Sequence, residues 1–439
     1  VAGTTVGAGI LALPASTLPA GFVPSTAVLI AAWVFMCATG LLIAEVTVNV
    51  ICQLQRPGLG LLATSERVLG KTGARGAGVA YVFIHYALLT AYCAQGGANL
   101  SLLADMAGAG LPPEVPAVVP AALFALAFGG LIAKGSASAV EATNNCFVAV
   151  VIGSFAVLLA AGVPGVDPAR LTSAAHQDWS AAFATAPICI LSLVFHNVVP
   201  VVATQLRGDM GKIRTAVVGG SLVPLLMFIL WNGTVLGNLD DAALGAARAA
   251  GSGSFDPIRT LAAGAESGRA LGPGPLASVD AGRALGATVP VFSEAAIVTS
   301  FFGFVYGLYD FMTDALGVPA GDKSRDGLVY GLILLPPVAV VAIDPDIFLP
   351  ALDSAGTFGI SSLFGLLPAA MAWEQRYGTG AAEVGGEEGE AAAADAEAAE
   401  PEALAVPPAV PGGRVALAAV MGVAFTIIGE GALDRLGLL

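Results

Sequence analysis

Residues Val1 to Pro14, VAGTTVGAGILALP, are strongly apolar yet hold Gly3, Gly7, Gly9, the adjacent Thr4 and Thr5, and Pro14. Such a segment is built to break as a helix. Inside a bilayer, unwound backbone survives only where it is buried in protein or lines a cavity, so these glycines mark a place where amides and carbonyls face a solute. A second interruption lies at Pro187 and at FHNVVP, Phe195 to Pro200. Its His196 is an ionisable residue in an apolar stretch, whose charge changes near neutral pH, so it is a candidate for moving protons. A histidine tied to a backbone carbonyl is the structural alternative. The acids within or at the edges of apolar stretches, Glu45, Glu141, Glu294, Asp310, Asp314 and Asp353, are further proton-carrier candidates. Glu45 is the most buried by position and ranks with His196; Asp310 and Asp314, four apart on one face, can equally pair with Lys323 or Arg325.

The elements that must position these groups are membrane helices. Of the 439 residues, 56% are hydrophobic and 11% charged, and the mean hydropathy is +0.83, more apolar than a soluble core requires. A span needs about 20 mostly apolar residues, and about eleven such stretches can be placed. They run near 1–20, 23–51, 77–104, 116–133, 141–162, 180–206, 213–237, 288–318, 327–343, 346–373 and 415–431. Most of the basic residues, among them Arg67, Lys71, Arg75, Lys134, Arg207, Lys212 and Arg376, fall in the even-numbered connections. Those connections are therefore expected on the cytoplasmic side, or on its topological equivalent in an organelle. The five cysteines, Cys37, Cys52, Cys93, Cys146 and Cys189, lie in or at the ends of spans without a CxxC pair, and read as buried free thiols.

Spans one to five and six to ten form two blocks. Five is odd, so the second block enters the membrane from the opposite side, and each block opens on its interrupted helix. Broken helices at matching positions of two inverted halves point to a transporter binding site near the midplane. The expected organisation is a first five-helix repeat over 1–162, a second over 163–376 containing a long external loop at 238–287, a linker over 377–414, and a final span and tail over 415–439. Within the linker, the segment Ala381 to Glu402 carries Glu383, Glu387, Glu388, Glu390, Asp395, Glu397, Glu400 and Glu402 with no base, and reads as solvated and disordered. The net charge of −14 owes much to it and says little about partners. The chain starts on Val1 inside an apolar stretch, so residues upstream, including any targeting peptide, are expected to be missing.

The segments AGTTVGAGILALP, FHNVVPVVATQLRGDMGKIRTAVVGGSLVPLLMFILWNGTVLG, TSFFGFVYGLYDFMTDAL and ALDSAGTFGISSLFGLLPAAMAW agree in order and spacing with one family. The chain resembles the aromatic amino acid permeases, the tyrosine- and tryptophan-specific transport proteins. The resemblance implies an all-α polytopic membrane protein with a LeuT-like five-plus-five inverted repeat, about eleven transmembrane helices and helices 1 and 6 interrupted. It implies that Thr4, Thr5, Val6, Gly7, Ala8 and Gly9 surround a substrate carboxylate, since free amides at a half-helix N-terminus stabilise an anion. Tight helix packing through the glycines is the alternative. Phe195 and His196 would meet the amine and side chain of the substrate, an aromatic and a polar ring suiting an aromatic cargo. Gln95, with Gly96 and Gly97, would line the side-chain pocket or simply pack. Thr299 and Ser300 match the hydroxyl ligands of sodium-coupled relatives of the fold, opposite carbonyls at Gly3 and Val6. Ile10 stands where those relatives carry an asparagine ligand, and its side chain offers no oxygen, so the resemblance favours protons as the driving ion.

The expected function is a symporter that carries tyrosine or tryptophan by alternating access coupled to protons, in a bacterial inner membrane or a plastid envelope. A sodium-coupled or broader neutral amino acid transporter is the alternative, and a channel or non-catalytic membrane protein the reading from another class. No HExxH, GxSxG or Walker loop is present, which argues against an enzyme and against direct nucleotide drive. No cofactor or metal beyond the coupling ion is expected, and the implied partners are an amino acid and the lipid bilayer, with no nucleic acid and no obligate protein partner.

Overall fold

The computed structural model describes residues 1, 5, 7, 9–55, 60–110, 112, 114–239, 279–318, 325–378 and 404–438, with backbone only over 279–287. All regular structure among them is helical. Among the described residues nine helices are long and apolar enough to cross a membrane, so the chain is a polytopic membrane protein. The helices are α1 (Gly9–Thr17), α2 (Phe22–Leu54), α3 (Leu61–Met106), α4 (Val118–Lys134), α5 (Ala137–Gly162), α6 (Ala186–Ser192), α7 (Val199–Gln205), α8 (Met210–Asn238), α9 (Val279–Ala315) and α10 (Asp326–Ile343). They continue with α11 (Phe348–Ser354), a π-helical stretch over Ala355–Leu366, α12 (Leu367–Tyr377) and α13 (Gly413–Arg435).

Nine of the eleven expected spans fall on helices long enough to cross, while the expected 1–20 and 116–133 fall on the shorter α1 and α4; at the ends of the others most shifts are small and two are larger. Helix α3 starts at Leu61 rather than near 77, because Gly70, at φ 67° and ψ −171°, kinks a preceding polar segment onto the span. Only glycine enters that region without a steric penalty. Helix α9 reaches back to Val279, into the segment read as external loop; the rest of that loop, 240–278, lies outside the described residues. Cys37, Cys93 and Cys189 are buried free thiols as expected, whereas Cys52 and Cys146 are exposed. Cys52 lies in the exposed last turn of α2 and Cys146 on an exposed stretch of α5, where a thiol meets the surroundings at little cost.

Long helices α3 and α9 pack along one another, α9 also packs on α5, and α8 packs on α2. The core between them is large and aromatic. Phe124 meets Phe301 edge-on at 5.1 Å between ring centroids, and Trp231 packs on Phe292 at 5.7 Å. Small residues allow this closeness: a side chain on Gly96 would stand 2.5 Å from the Phe124 ring, and one on Gly97 would stand 2.5 Å from the Ala121 backbone nitrogen. Gly96 and Gly97 therefore seat α3 against α4. Of the acidic linker, residues 379–403 lie outside the described set. Its end folds back onto the bundle: the Val406 amide donates to Asn49 Oδ1 at 3.2 Å and the Ala409 amide to Glu45 Oε2 at 2.7 Å.

Candidate functional site

Two short half-helices meet in the middle of the bundle. Helix α6 ends at Ser192; Leu193 and Phe195 leave helical geometry, a single 3₁₀ turn covers His196–Val198, and α7 starts at Val199 with Pro200 in its first turn. Pro200 has no amide proton to place, which suits a helix start. On the other side Gly7 forms a bend, its carbonyl accepts from the Ile10 amide at 3.1 Å, and α1 begins at Gly9. Gly9 sits directly on the end of α6: a side chain there would come within 2.5 Å of Ser192 Oγ and 2.7 Å of Ser192 Cα. The positive N-terminal end of α1 thus lies beside the negative C-terminal end of α6, a pairing that suits a zwitterion with a carboxylate and an amine.

A cavity of about 590 Å³ opens beside the second break. Its wall takes Val194 and Asn197 from the break, Thr299, Ser300, Gly303, Phe304 and Gly307 from α9, and Tyr81, Ile84 and His85 from α3. Helices α5 and α8 contribute Asn144, Phe155 and Met227, and the π-helical stretch adds Ile360, Leu363 and Phe364. The size and the apolar wall with a few polar groups are those of a small-molecule site. Ser300 links it to the first break, since a side chain on Gly7 would stand 2.5 Å from Ser300 Oγ. Tyr81, His85, Asn144 and Gly307 lie on the halves of their helices nearer the even-numbered, base-rich connections, so the cavity extends from the breaks toward that side.

The π-helical stretch has a role in this wall. Ser361 Oγ donates to the Gly356 carbonyl, five residues back, at 3.0 Å, and Gly356 lies against the Pro187 carbonyl of α6. The wider turn advances the register and sets Ile360, Leu363 and Phe364 toward the cavity, a use of π geometry common at functional sites.

Phe195 and His196 are fully buried and stand behind this wall. The His196 ring is sandwiched between Phe195, at 4.8 Å, and Phe364, at 4.9 Å. Its Nε2 lies 2.8 Å from Thr39 Oγ1 of α2, a hydroxyl that is itself within 3.2 Å of the Met36 carbonyl. Phe364 is the ring that joins this stack to the cavity. A side chain on Gly40 would stand 2.7 Å from the Phe195 ring, so Gly40 of α2 makes room for it.

Thr299 Oγ1 donates to the Ala296 carbonyl of its own helix at 3.0 Å, and the Ser300 side chain is the polar group beside the Tyr92 hydroxyl. Thr5 is buried, with its hydroxyl on the Val1 carbonyl at 3.0 Å. Gln95 donates to Asn99 Oδ1 at 3.0 Å, and Asn99 donates to Ser293 Oγ at 2.8 Å, a chain between α3 and α9 away from the cavity wall. Glu45 is held by Arg376 through Nε–Oε1 at 2.7 Å and Nη2–Oε2 at 2.6 Å, with both side chains out of solvent. Gly3, Thr4, Val6 and Ala8 lie outside the described residues. Tyr81, Asn144, Asn197 and Phe155 were not singled out by sequence reasoning. The Asn144–Asn145 pair inside an apolar span and the Asn197 within FHNVVP were the signals that could have found them.

Residues 1–385 match the tryptophan/tyrosine permease family. The chain is 28% identical over 391 residues to tyrosine-specific transport system 1 of Haemophilus influenzae, covering 86% of each chain. It is 27% identical over 361 residues to a tryptophan-specific transport protein of Pseudomonas aeruginosa, covering 81% of this chain and 80% of the relative. It is also similar, at 24% identity over 358 residues, to glutamine transporter 2 of Aliivibrio fischeri. This polytopic membrane protein, with its cavity beside two interrupted helices, belongs to the tryptophan/tyrosine permease family, a family of transporters and not of enzymes.

Proposed function

We propose that this chain is a secondary active symporter that moves an aromatic amino acid, tyrosine or tryptophan, across its membrane by alternating access coupled to protons. The observation that carries the reading is the cavity, which joins the second break through Asn197 and the first through Ser300 and Gly7. The half-helix ends there take the carboxylate and amine, and Phe155, Phe304 and Phe364 offer ring faces and edges to an aromatic side chain. The cavity's extension toward the base-rich connections is that of an inward-open state on a LeuT-like scaffold of two inverted five-helix repeats.

Protons are the favoured coupling ion because the Ile10 side chain brings no oxygen to a cation. The membrane is a bacterial inner membrane or a plastid envelope. A second reading, a broader neutral amino acid carrier, draws on the Asn144 and Asn197 amides in the wall and on the relative named for glutamine. Counterflow in proteoliposomes separates the two. Exchange of labelled tyrosine, tryptophan or phenylalanine but not glutamine is expected. Exchange of glutamine alone supports the second reading, and exchange of none of the four contradicts both.

A further inference from the structure

Two carboxylates are buried deep in this bundle, and they are treated in opposite ways. Glu45 has a guanidinium on both oxygens and a backbone amide besides. Glu294 of α9 is 6% exposed, and neither of its oxygens has a hydrogen-bond partner of good geometry among the described residues; the Asn99 side chain is the polar group that reaches toward it. A fixed carboxylate in such a place, with no cation bonded to it among the described residues, carries a cost of several kcal/mol by the general price of burying an unpaired charge. Buried acids of this kind in membrane proteins mark ion and proton pathways.

The surroundings give Glu294 a route. It lies on the α3–α9 seam, next in sequence to Ser293, which closes the Gln95–Asn99–Ser293 chain. Along the same seam, toward the cavity, the Tyr92 hydroxyl has the Ser300 side chain as its polar neighbour, and Ser300 is in the cavity wall. The helices packed on α9 are α3, α4, α5 and α10. Their ionisable groups in the half of the seam around Glu294 are Tyr92, the buried thiol of Cys93 and, at the exposed end of α3, Asp105; Tyr86, His85 and Tyr81 lie beyond Ser300, and Lys134, Glu141, Asp326 and Tyr330 lie toward the opposite ends of their helices. None of them bonds Glu294.

We propose that Glu294 is the carboxyl that carries the coupling proton. It binds one proton when the outer half of the seam opens, stays neutral and buried while the site is closed to both sides, and gives the same proton up toward the cavity past Tyr92 and Ser300. This rests on the proton-symport reading above.

The test is Glu294→Gln, which keeps the shape of the neutral acid and cannot release its proton. An inward proton gradient of about one pH unit supports about tenfold accumulation for one proton per substrate. The variant is expected to exchange labelled substrate in counterflow at close to the wild-type rate and to lose that accumulation completely. Accumulation equal to wild type overturns the assignment. Glu294→Asp, which keeps the acid one methylene shorter, is expected to accumulate substrate with a displaced pH profile; an unchanged profile also overturns it. A third readout is independent of cargo: the infrared C=O band of a neutral carboxyl in purified protein, displaced in Glu294→Asp. Absence of that band overturns the inference, whereas its presence in a protein that exchanges no aromatic amino acid leaves Glu294 standing and sinks the cargo reading alone.

Discussion

At the scale of single residues, the junction of the two breaks depends on atoms that are missing. Gly7 and Gly9 let α9 and α6 come up against the first break at distances no side chain tolerates. Gly7→Ala puts a methyl 2.5 Å from Ser300 Oγ but at an ordinary 3.7 Å from Ser300 Cβ. The clash is therefore with one hydroxyl oxygen. Overpacking of this kind costs about 1–3 kcal/mol, so Gly7→Ala is expected to lower the melting temperature and impair exchange. Gly7→Ala combined with Ser300→Ala should recover the melting temperature, read by thermal unfolding in detergent. A double variant as unstable as the single one contradicts the packing assigned here. Gly9→Ala has no such rescue, because its methyl meets the Ser192 backbone at 2.7 Å. The glycines were legible in the sequence as a break, yet what each one faces was not, since Ser192 and Ser300 are brought there only by folding. His196 makes the same point. Its position at the second break was readable, whereas its burial between Phe195 and Phe364 depends on the π-helical register of a segment far along the chain.

At the scale of elements, the Glu45–Arg376 pair joins α2 to α12, and the folded-back end of the linker adds the Ala409 amide to the same carboxylate. The Arg214 guanidinium of α8 donates to the Ala409 carbonyl at 3.0 Å, so one turn of chain is gripped from two helices. Removing one member of a buried ion pair leaves the other charge unpaired and costs about 3–5 kcal/mol. Glu45→Gln and Arg376→Gln are each expected to destabilise the protein by that order, measured by denaturant or thermal unfolding, and the double variant less than the sum. Strict additivity would mean that the two side chains do not act as a pair. Span positions were legible because a stretch of about 20 apolar residues has few other uses. The tilt of the kinked start of α3 at Gly70 and the backward extension of α9 to Val279 were not, because both segments are too polar to announce themselves by hydropathy.

At the scale of the whole molecule, a cavity lined by the second break, with Ser300 in its wall facing Gly7 of the first, is on the proposed reading half of a transport cycle. Under the proposed function, two inverted five-span blocks supply the other half by symmetry, with the same breaks opening toward the opposite face. On this account the α3–α9 seam and the cavity divide the work, the cavity holding the amino acid and the seam holding the proton. The most direct test is accumulation of labelled tyrosine and tryptophan by proteoliposomes under an imposed inward proton gradient in sodium-free buffer. The account predicts accumulation above the equilibrium level for at least one of them, abolished when a protonophore collapses the gradient. Uptake that ignores the gradient and requires sodium contradicts it.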